Sequence, residues 1–130
     1  MADHPNLELL RRGYAAYGSG DMDTINELFA DDLVWHVAGR SPLSGDYDGK
    51  EQVFGFFARL QEMSEGTSKV EVHDLLASDD HGVAVVTESA TRGGRTHKGS
   101  ATHVFHLRDG KVTEFWDAQT DQYAADEFWA

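Results

Sequence analysis

The apolar positions of this chain keep a helical period through the first half and change to alternation in the second. Leu7, Leu10, Tyr14 and Tyr17 recur at helical spacing, and Gly18-Ser19-Gly20 ends the run, which predicts a first helix. Asp21 is a good N-cap for a second, short helix with Met22, Ile25, Leu28 and Phe29 on its inward side. Asp31-Asp32 then leads into Leu33-Val34-Trp35-His36-Val37, whose branched and aromatic residues predict a strand. Gly39 to Gly49 carries Gly, Pro and Asp and reads as a loop with room for a short strand near Tyr47. Asp48 and Glu51 have the spacing of a capping box ahead of one apolar stripe, Val53, Phe56, Phe57, Leu60 and Met63, the longest helix face in the chain.

Beyond Gly66 the period shortens to two. Lys69 to Ala77, Gly82 to Thr91, Thr96 to Leu107 and Lys111 to Gln119 read as strands, with Ser78-Asp79-Asp80 and Arg92-Gly93-Gly94 among the breaks. Asp121 to Trp129 predicts a short closing helix that sets Phe128 and Trp129 against an apolar surface. No internal repeat or low-complexity tract interrupts this order. Helices followed by consecutive hairpins imply an α+β domain, an antiparallel sheet with helices on one face. Such a sheet must curl around its helices, and the curl leaves a concave apolar interior suited to a ligand. At 130 residues the chain is expected to be one domain, residues 1–130.

Composition narrows the partners. Lys and Arg number 11 against 23 Asp and Glu, a formal charge of −12 that repels phosphate backbones and anionic headgroups. Neither nucleic acid nor a membrane surface is expected to bind. Cysteine is absent, so there is no disulfide framework and no thiolate nucleophile, and zinc would have to rest on histidine and carboxylate. The opening MADHPNLELLRRGY mixes charge with leucine and lacks the apolar run of a signal peptide or membrane span, which points to the cytoplasm. A Ser-His-Asp hydrolase is disfavoured because no Gly-x-Ser-x-Gly elbow occurs.

The candidate chemistry sits in ATHVFHLRDGKVTEFWDAQ, residues 101–119, two strands around a tight turn. Which side chains share the face of His103 depends on that turn, because a one-residue slip reverses every following residue. A two-residue Asp109-Gly110 turn sets Leu107 opposite Val112 and His103 opposite Trp116. A three-residue Arg108-Asp109-Gly110 loop sets Leu107 opposite Lys111 and His103 opposite Phe115, with Asp117 on the diagonal. His103 and His106 cannot share a metal, since residues three apart on a strand point to opposite faces, and the other histidines show no ligand spacing. No metal or cofactor is therefore expected. His36 is expected on the outer face or rim and His4 and His81 in solvent, while His73 and His97 are ambiguous. Glu88 faces inward if Val86 does, which would give the interior a second acid.

Three segments carry a family resemblance: Gly20-Asp-Met-Asp-Thr-Ile-Asn-Glu-Leu-Phe-Ala-Asp-Asp32, Ser44-Gly-Asp-Tyr-Asp-Gly-Lys-Glu51 and Asp109-Gly-Lys-Val112. With their order and spacing, they resemble the NTF2-like superfamily, in its SnoaL-like and ketosteroid-isomerase-like branch. The resemblance covers nearly the whole chain. It implies a cystatin-like roll: a cone in which a strongly curved, mostly antiparallel sheet wraps N-terminal helices, a pocket at the wide end, and a homodimer on the outer sheet face. Members include isomerases, cyclases, dehydratases, epoxide hydrolases and proteins without catalysis, so the fold is implied more closely than the chemistry. The isomerase set does not carry over: its oxyanion-hole tyrosine falls on Gly13, its base on Val37, its second oxyanion-hole acid on His103, and supporting tyrosines on Phe29 and Phe57. Steroid isomerisation by that mechanism is not expected.

The resemblance also selects the three-residue register. His103, Phe105, Phe115, Asp117 and Gln119 then face the cavity, while Val104, His106, Val112, Glu114 and Trp116 face outward. The expected function is that of a small-molecule pocket protein acting on an apolar cyclic or polyketide-like compound by cofactor-free proton transfer. His103 and Asp117 are the expected catalytic pair, a carboxylate-supported imidazole base. Tyr14, Tyr17, Trp35, Val37, Phe57, Glu88, Phe105, Phe115 and Gln119 are the expected ligand contacts. Two other readings fit the same fold: a non-catalytic small-ligand binding protein, and a dimeric interaction module whose cavity is filled by its own side chains.

Overall fold

A computed structural model describes residues 4–130; the first three residues of the N-terminal segment discussed above lie outside the described ones. The helices are α1 (Pro5–Ser19), α2 (Met22–Leu28), α3 (Gly49–Met63) and α4 (Gln122–Trp129). The strands are β1 (Phe29–Val37), β2 (Gly45–Asp48), β3 (Lys69–Ala77), β4 (His81–Arg92), β5 (Arg95–Arg108) and β6 (Lys111–Gln119). They form one curved, unclosed sheet of order β2-β1-β6-β5-β4-β3. Every neighbouring pair is antiparallel except β1 with β6, which run parallel. That parallel pair closes the order in a way the succession of hairpins does not predict.

Local chemistry accounts for the helix ends. Pro5 opens α1 at a position whose N–H would have no helical acceptor. Gly20 closes it in the left-handed conformation at φ 75, which costs glycine little, and the following Asp21 N–H returns to Ala16 O. Asp21 caps α2 by accepting from the Thr24 N–H. Ile25 and Leu28 are buried, but Met22 is 39% exposed. A first-turn side chain tilts back past the end of its own helix, so Met22 leaves the stripe that its spacing suggests. Phe29 is buried as expected, yet it begins β1 instead of ending α2. The capping box does not form at α3: the Asp48 side chain makes no capping bond, and Gln52 Oε1 accepts from the Asp48 N–H at 2.8 Å. The reciprocal half of the motif is present one residue later than Glu51.

The last hairpin follows neither predicted register. Asp109 and Gly110 take φ 53 and 75, a two-residue type I′ turn, so Arg108 pairs with Lys111 and Leu107 with Val112. The register then shifts, and His106 pairs with Glu114, leaving Thr113 as the extra residue of a β-bulge. Thr113 Oγ1 donates to the His106 carbonyl at 3.2 Å, which ties the bulge to the partner strand. Two consequences correct the sequence reading. Val112 is buried inside the cone, not on the outer face, and His103 lies directly opposite Asp117 instead of diagonal to it. The inward set survives because the bulge restores the parity that the short turn removed.

The core lies between the concave face of the sheet and helices α1, α2 and α3. Leu10, Ile25, Leu33, Val53 and Val86 are almost fully buried there. Aromatic rings fill the wider part: Trp35 stacks on Phe115 at 3.6 Å between centroids and meets Phe57 edge-on at 5.3 Å. No described helix is long and apolar enough to cross a membrane.

Candidate functional site

Packing rings against branched residues in a curved sheet leaves a cavity of about 110 Å³. A single water needs only roughly 10–15 Å³ on a comparable measure, so this space is more than a packing defect. Tyr14, Tyr17, Trp35, Phe57, Glu88, His103, Phe105, Phe115 and Asp117 all line it. Val37 and Gln119 lie instead on a second, adjoining cavity, together with Tyr17, Glu88 and Asp117. Gly13, where the isomerase tyrosine would stand, contributes only backbone to the wall, but Tyr14 one position on brings a phenol into the interior.

The polar groups come from α1 and three adjacent strands. Period-two alternation carries Val86 into the core and Glu88 with it. On β5 the same alternation brings His103 inward, where it is 5% exposed. On β6 the bulge at Thr113 allows Asp117 and Gln119 to follow Phe115 inward.

These groups form one network. Tyr14 Oη lies 2.6 Å from His103 Nδ1, and His103 Nε2 lies 2.9 Å from Glu88 Oε1. Gln119 Nε2 donates to Glu88 Oε2 at 2.6 Å and to Asp117 Oδ1 at 3.0 Å. His103 Nε2 is 3.7 Å from Asp117 Oδ1, beyond hydrogen-bond reach. The carboxylate that the imidazole engages is therefore Glu88, not Asp117 as the sequence suggests. Glu88 accepts at Nε2, so in the neutral ring the proton sits there and Nδ1 accepts from the Tyr14 hydroxyl. Both ring nitrogens are thereby occupied.

Electrostatics separates the two acids. Burial pushes the Asp117 carboxyl well above the usual carboxylate range, and the adjacent Glu88 charge pushes it further. Burial acts on Glu88 in the same sense, but the hydrogen bond and charge of His103, with hydrogen bonds from Asp117 and Gln119, outweigh it and hold Glu88 below its ordinary value. The opposite shifts make Asp117 the weaker acid of the pair and Glu88 the stronger. Desolvation first, and then the charge of Glu88, raise the Tyr14 phenol, so it stays a donor. Tyr17 is raised chiefly by burial, against hydrogen bonds from Gln61 and Ser68.

One nitrogen of His103 and one oxygen each of Glu88 and Asp117 lie within 4.8 Å of one another, compact enough to hold a cation. A cation there would have to displace the His103–Glu88 hydrogen bond. The sequence reading places Tyr14 in the cavity but not its bond to His103, and it does not find the Gln119 bridge. Both join residues far apart in the chain, and no local spacing signals them.

Comparison with known proteins places this geometry. The SnoaL-like domain family matches residues 10–115. Bal32a, from a soil-derived mobile gene cassette, superimposes with a TM-score of 0.93 at 39% identity, covering 97% of each chain. A Xanthomonas campestris protein of cystatin-like fold gives a TM-score of 0.89 at 27% identity over 95% of this chain and 96% of that one. An uncharacterised Mycobacterium tuberculosis protein is 29% identical over the full length of both chains. The curved sheet wrapped around its helices is the cystatin-like fold of that Xanthomonas protein, and the chain belongs to the SnoaL-like domain family.

Proposed function

We propose that the protein catalyses proton transfer on an apolar cyclic compound, using two carboxyl groups of its own chain. The observation that carries this reading is the adjacency of two carboxyl groups on the wall of an otherwise apolar cavity, Glu88 held below its ordinary range by its hydrogen bonds and Asp117 pushed above it by burial. Asp117 is the acid that delivers a proton to a substrate carbonyl oxygen. Glu88 is the base that takes a proton from the neighbouring carbon, and the pair is restored when the two protons return. His103, fixed between Tyr14 and Glu88, orients the base and stabilises its charge. A carboxylate offers about four acceptor sites, so Glu88 retains capacity beyond the bonds from His103 and Gln119. The chain supplies both acid and base, and this reaction calls on no cofactor.

The test is hydrogen exchange in D₂O at the carbon beside the carbonyl of a cyclic aromatic ketone such as tetralone, followed by NMR. Wild-type protein is expected to accelerate exchange, and Asp117→Asn to reduce the acceleration by about a hundredfold or more. Binding of the ketone without accelerated exchange would leave the cavity to non-catalytic ligand binding, the rival reading that the apolar lining also supports.

We also propose that the outer sheet face pairs with a second copy of this chain. Trp116 and Val104 are half-buried there and Val85 is 41% exposed, a grouping typical of an interface.

A further inference from the structure

The two cavities share a wall of Tyr17, Phe56, Leu60, Val70, Glu88 and Asp117, so they are compartments of one site. Both carboxyl groups therefore belong to the boundary between the compartments and to neither alone. The Glu88 and Asp117 side chains keep 21% and 18% of their surface open, against 6% for His103. Of the three, the acids are the groups that a ligand can touch.

The compartments are alike in size and unlike in depth. The first measures about 110 Å³ and the second about 90 Å³. An apolar cavity of about 150 Å³ takes one benzene-sized molecule, so each compartment has room for about one ring and neither has room for two. The first is deep: Leu10, Ile25, Phe105, Val112 and Phe115 of its wall are all buried. The second is the outer one, with half-buried Ser41, Gln122 and Trp129 and exposed Lys69 on its wall. A ligand entering from that side meets the two acids before it fills the interior.

We infer that the substrate is two-lobed: one ring seats in the deep compartment, a second ring in the outer one, and the carbonyl with its neighbouring C–H lies on the short link between them, against Asp117 and Glu88. Each lobe finds apolar surface to bury, on Phe105 and Phe115 in the deep compartment and on Leu43 and Trp129 in the outer one. A single-ring compound would leave one compartment to water, and burial of the second ring is the gain that separates the two kinds of ligand. This inference rests on the proton-transfer reading above and adds the shape of the substrate and the place of its reacting C–H bond.

The test compares propiophenone, which has one ring, with deoxybenzoin, in which a second ring replaces the methyl group on the carbon beside the same benzoyl carbonyl. Calorimetric titration reads binding, and NMR in D₂O reads exchange at the CH₂ group. Wild type is expected to bind deoxybenzoin about thirtyfold more tightly than propiophenone and to accelerate exchange of its CH₂ protons. Ala38→Phe sets a ring into the outer compartment and is expected to bring the binding ratio close to one. Ala38→Leu, a milder filling, is expected to lower the ratio part of the way and guards against a folding defect in the first variant. At Gly13 a Cβ has ordinary clearance, 3.8 Å from Leu28, so Gly13→Leu extends into the deep compartment. It is expected to weaken both compounds by about tenfold. Equal binding of the two compounds by wild type, a preference that survives in both Ala38 variants, or unchanged binding in Gly13→Leu would overturn the two-lobed substrate and leave proton transfer to be judged by exchange in propiophenone. Ring-dependent binding of deoxybenzoin without accelerated exchange would do the reverse: it would defeat proton transfer, and with it the place of the reacting bond, and keep the two-lobed ligand. Binding of neither compound would defeat both.

Discussion

The two faces of the sheet each set a histidine beside two carboxyl groups, with different results. On the outer face His36 sits 2.6 Å from Asp46 and 2.6 Å from Glu114 and stacks on Trp116. Partial desolvation opposes its charge, but the hydrogen bonds and charges of Asp46 and Glu114 outweigh it and raise the His36 pKa. On the inner face His103 meets Glu88 and Asp117, and there burial and the adjacent Glu88 charge raise Asp117 well above the usual carboxylate range. Near solvent, two carboxylates can both stay ionised and share a cation. In an apolar cavity, desolvation makes a second adjacent negative charge costly, and one acid becomes the weaker of the pair. Burial, not composition, turns a charge cluster into an acid and a base.

The largest effect that tests this contrast is on stability. Glu88→Ala removes the acceptor of both His103 and Gln119, and should destabilise the fold by about 3–5 kcal/mol in denaturant unfolding. Glu114→Ala on the outer face should cost less than about 1 kcal/mol. Similar costs would mean that the inner network is not sealed from water.

Association comes next. If two copies pair through the outer face, Trp116→Glu would bury an unpaired charge, and should weaken dimerisation by about a hundredfold in sedimentation equilibrium. A wild-type species of only 14.4 kDa at micromolar concentration would refute the pairing. A dimer would also make the cost of Glu114→Ala rise with protein concentration, narrowing the contrast between the faces.

The smallest effect carries the clearest sign. Asp117 has a raised pKa in the folded state, so the native protein binds more protons than the unfolded chain between the ordinary carboxylate value, about 4, and the raised one. Through that window Asp117 lowers stability as pH rises. Asparagine keeps a donor toward Glu88 and cannot ionise. Asp117→Asn should therefore match wild type at the acid end of the window and melt at a higher temperature above it. A uniform loss of stability at every pH would show that Asp117 is not the weaker acid of the pair.

Much of the architecture is legible in the sequence, because helix stripes and strand alternation are local. The bounds of β3 and β6 fall where the alternation places them, and those of β4 and β5 within a residue. The candidate cavity is legible in outline for the same reason: parity alone sends His103 and Phe105 to one face of β5. What is not legible depends on events that parity does not record. A single bulged residue decides which parity holds beyond the turn. The Glu88–His103 and Tyr14–His103 bonds depend on the curvature that brings β4 and α1 to the same point. The capping of α3 passes to Gln52 instead of Glu51, a choice between neighbours that spacing alone does not make.

Thr113 has a further consequence, for how this strand can tolerate change in length. The turn ahead of it and the interior beyond it are written in opposite phases, and this one residue is the frame shift that reconciles them. Drawing it into the ladder while keeping the Asp109-Gly110 turn would leave the sequence intact and invert its meaning. Thr113 would then stand opposite His106 and Trp116 opposite His103, and Phe115, Asp117 and Gln119 would pass to the outer face, whereas deleting Thr113 would leave His106 opposite Glu114 and His103 opposite Asp117. Substitutions along β6 alter one side chain at a time, whereas straightening the bulge at this one residue would exchange the inside of the protein for its outside.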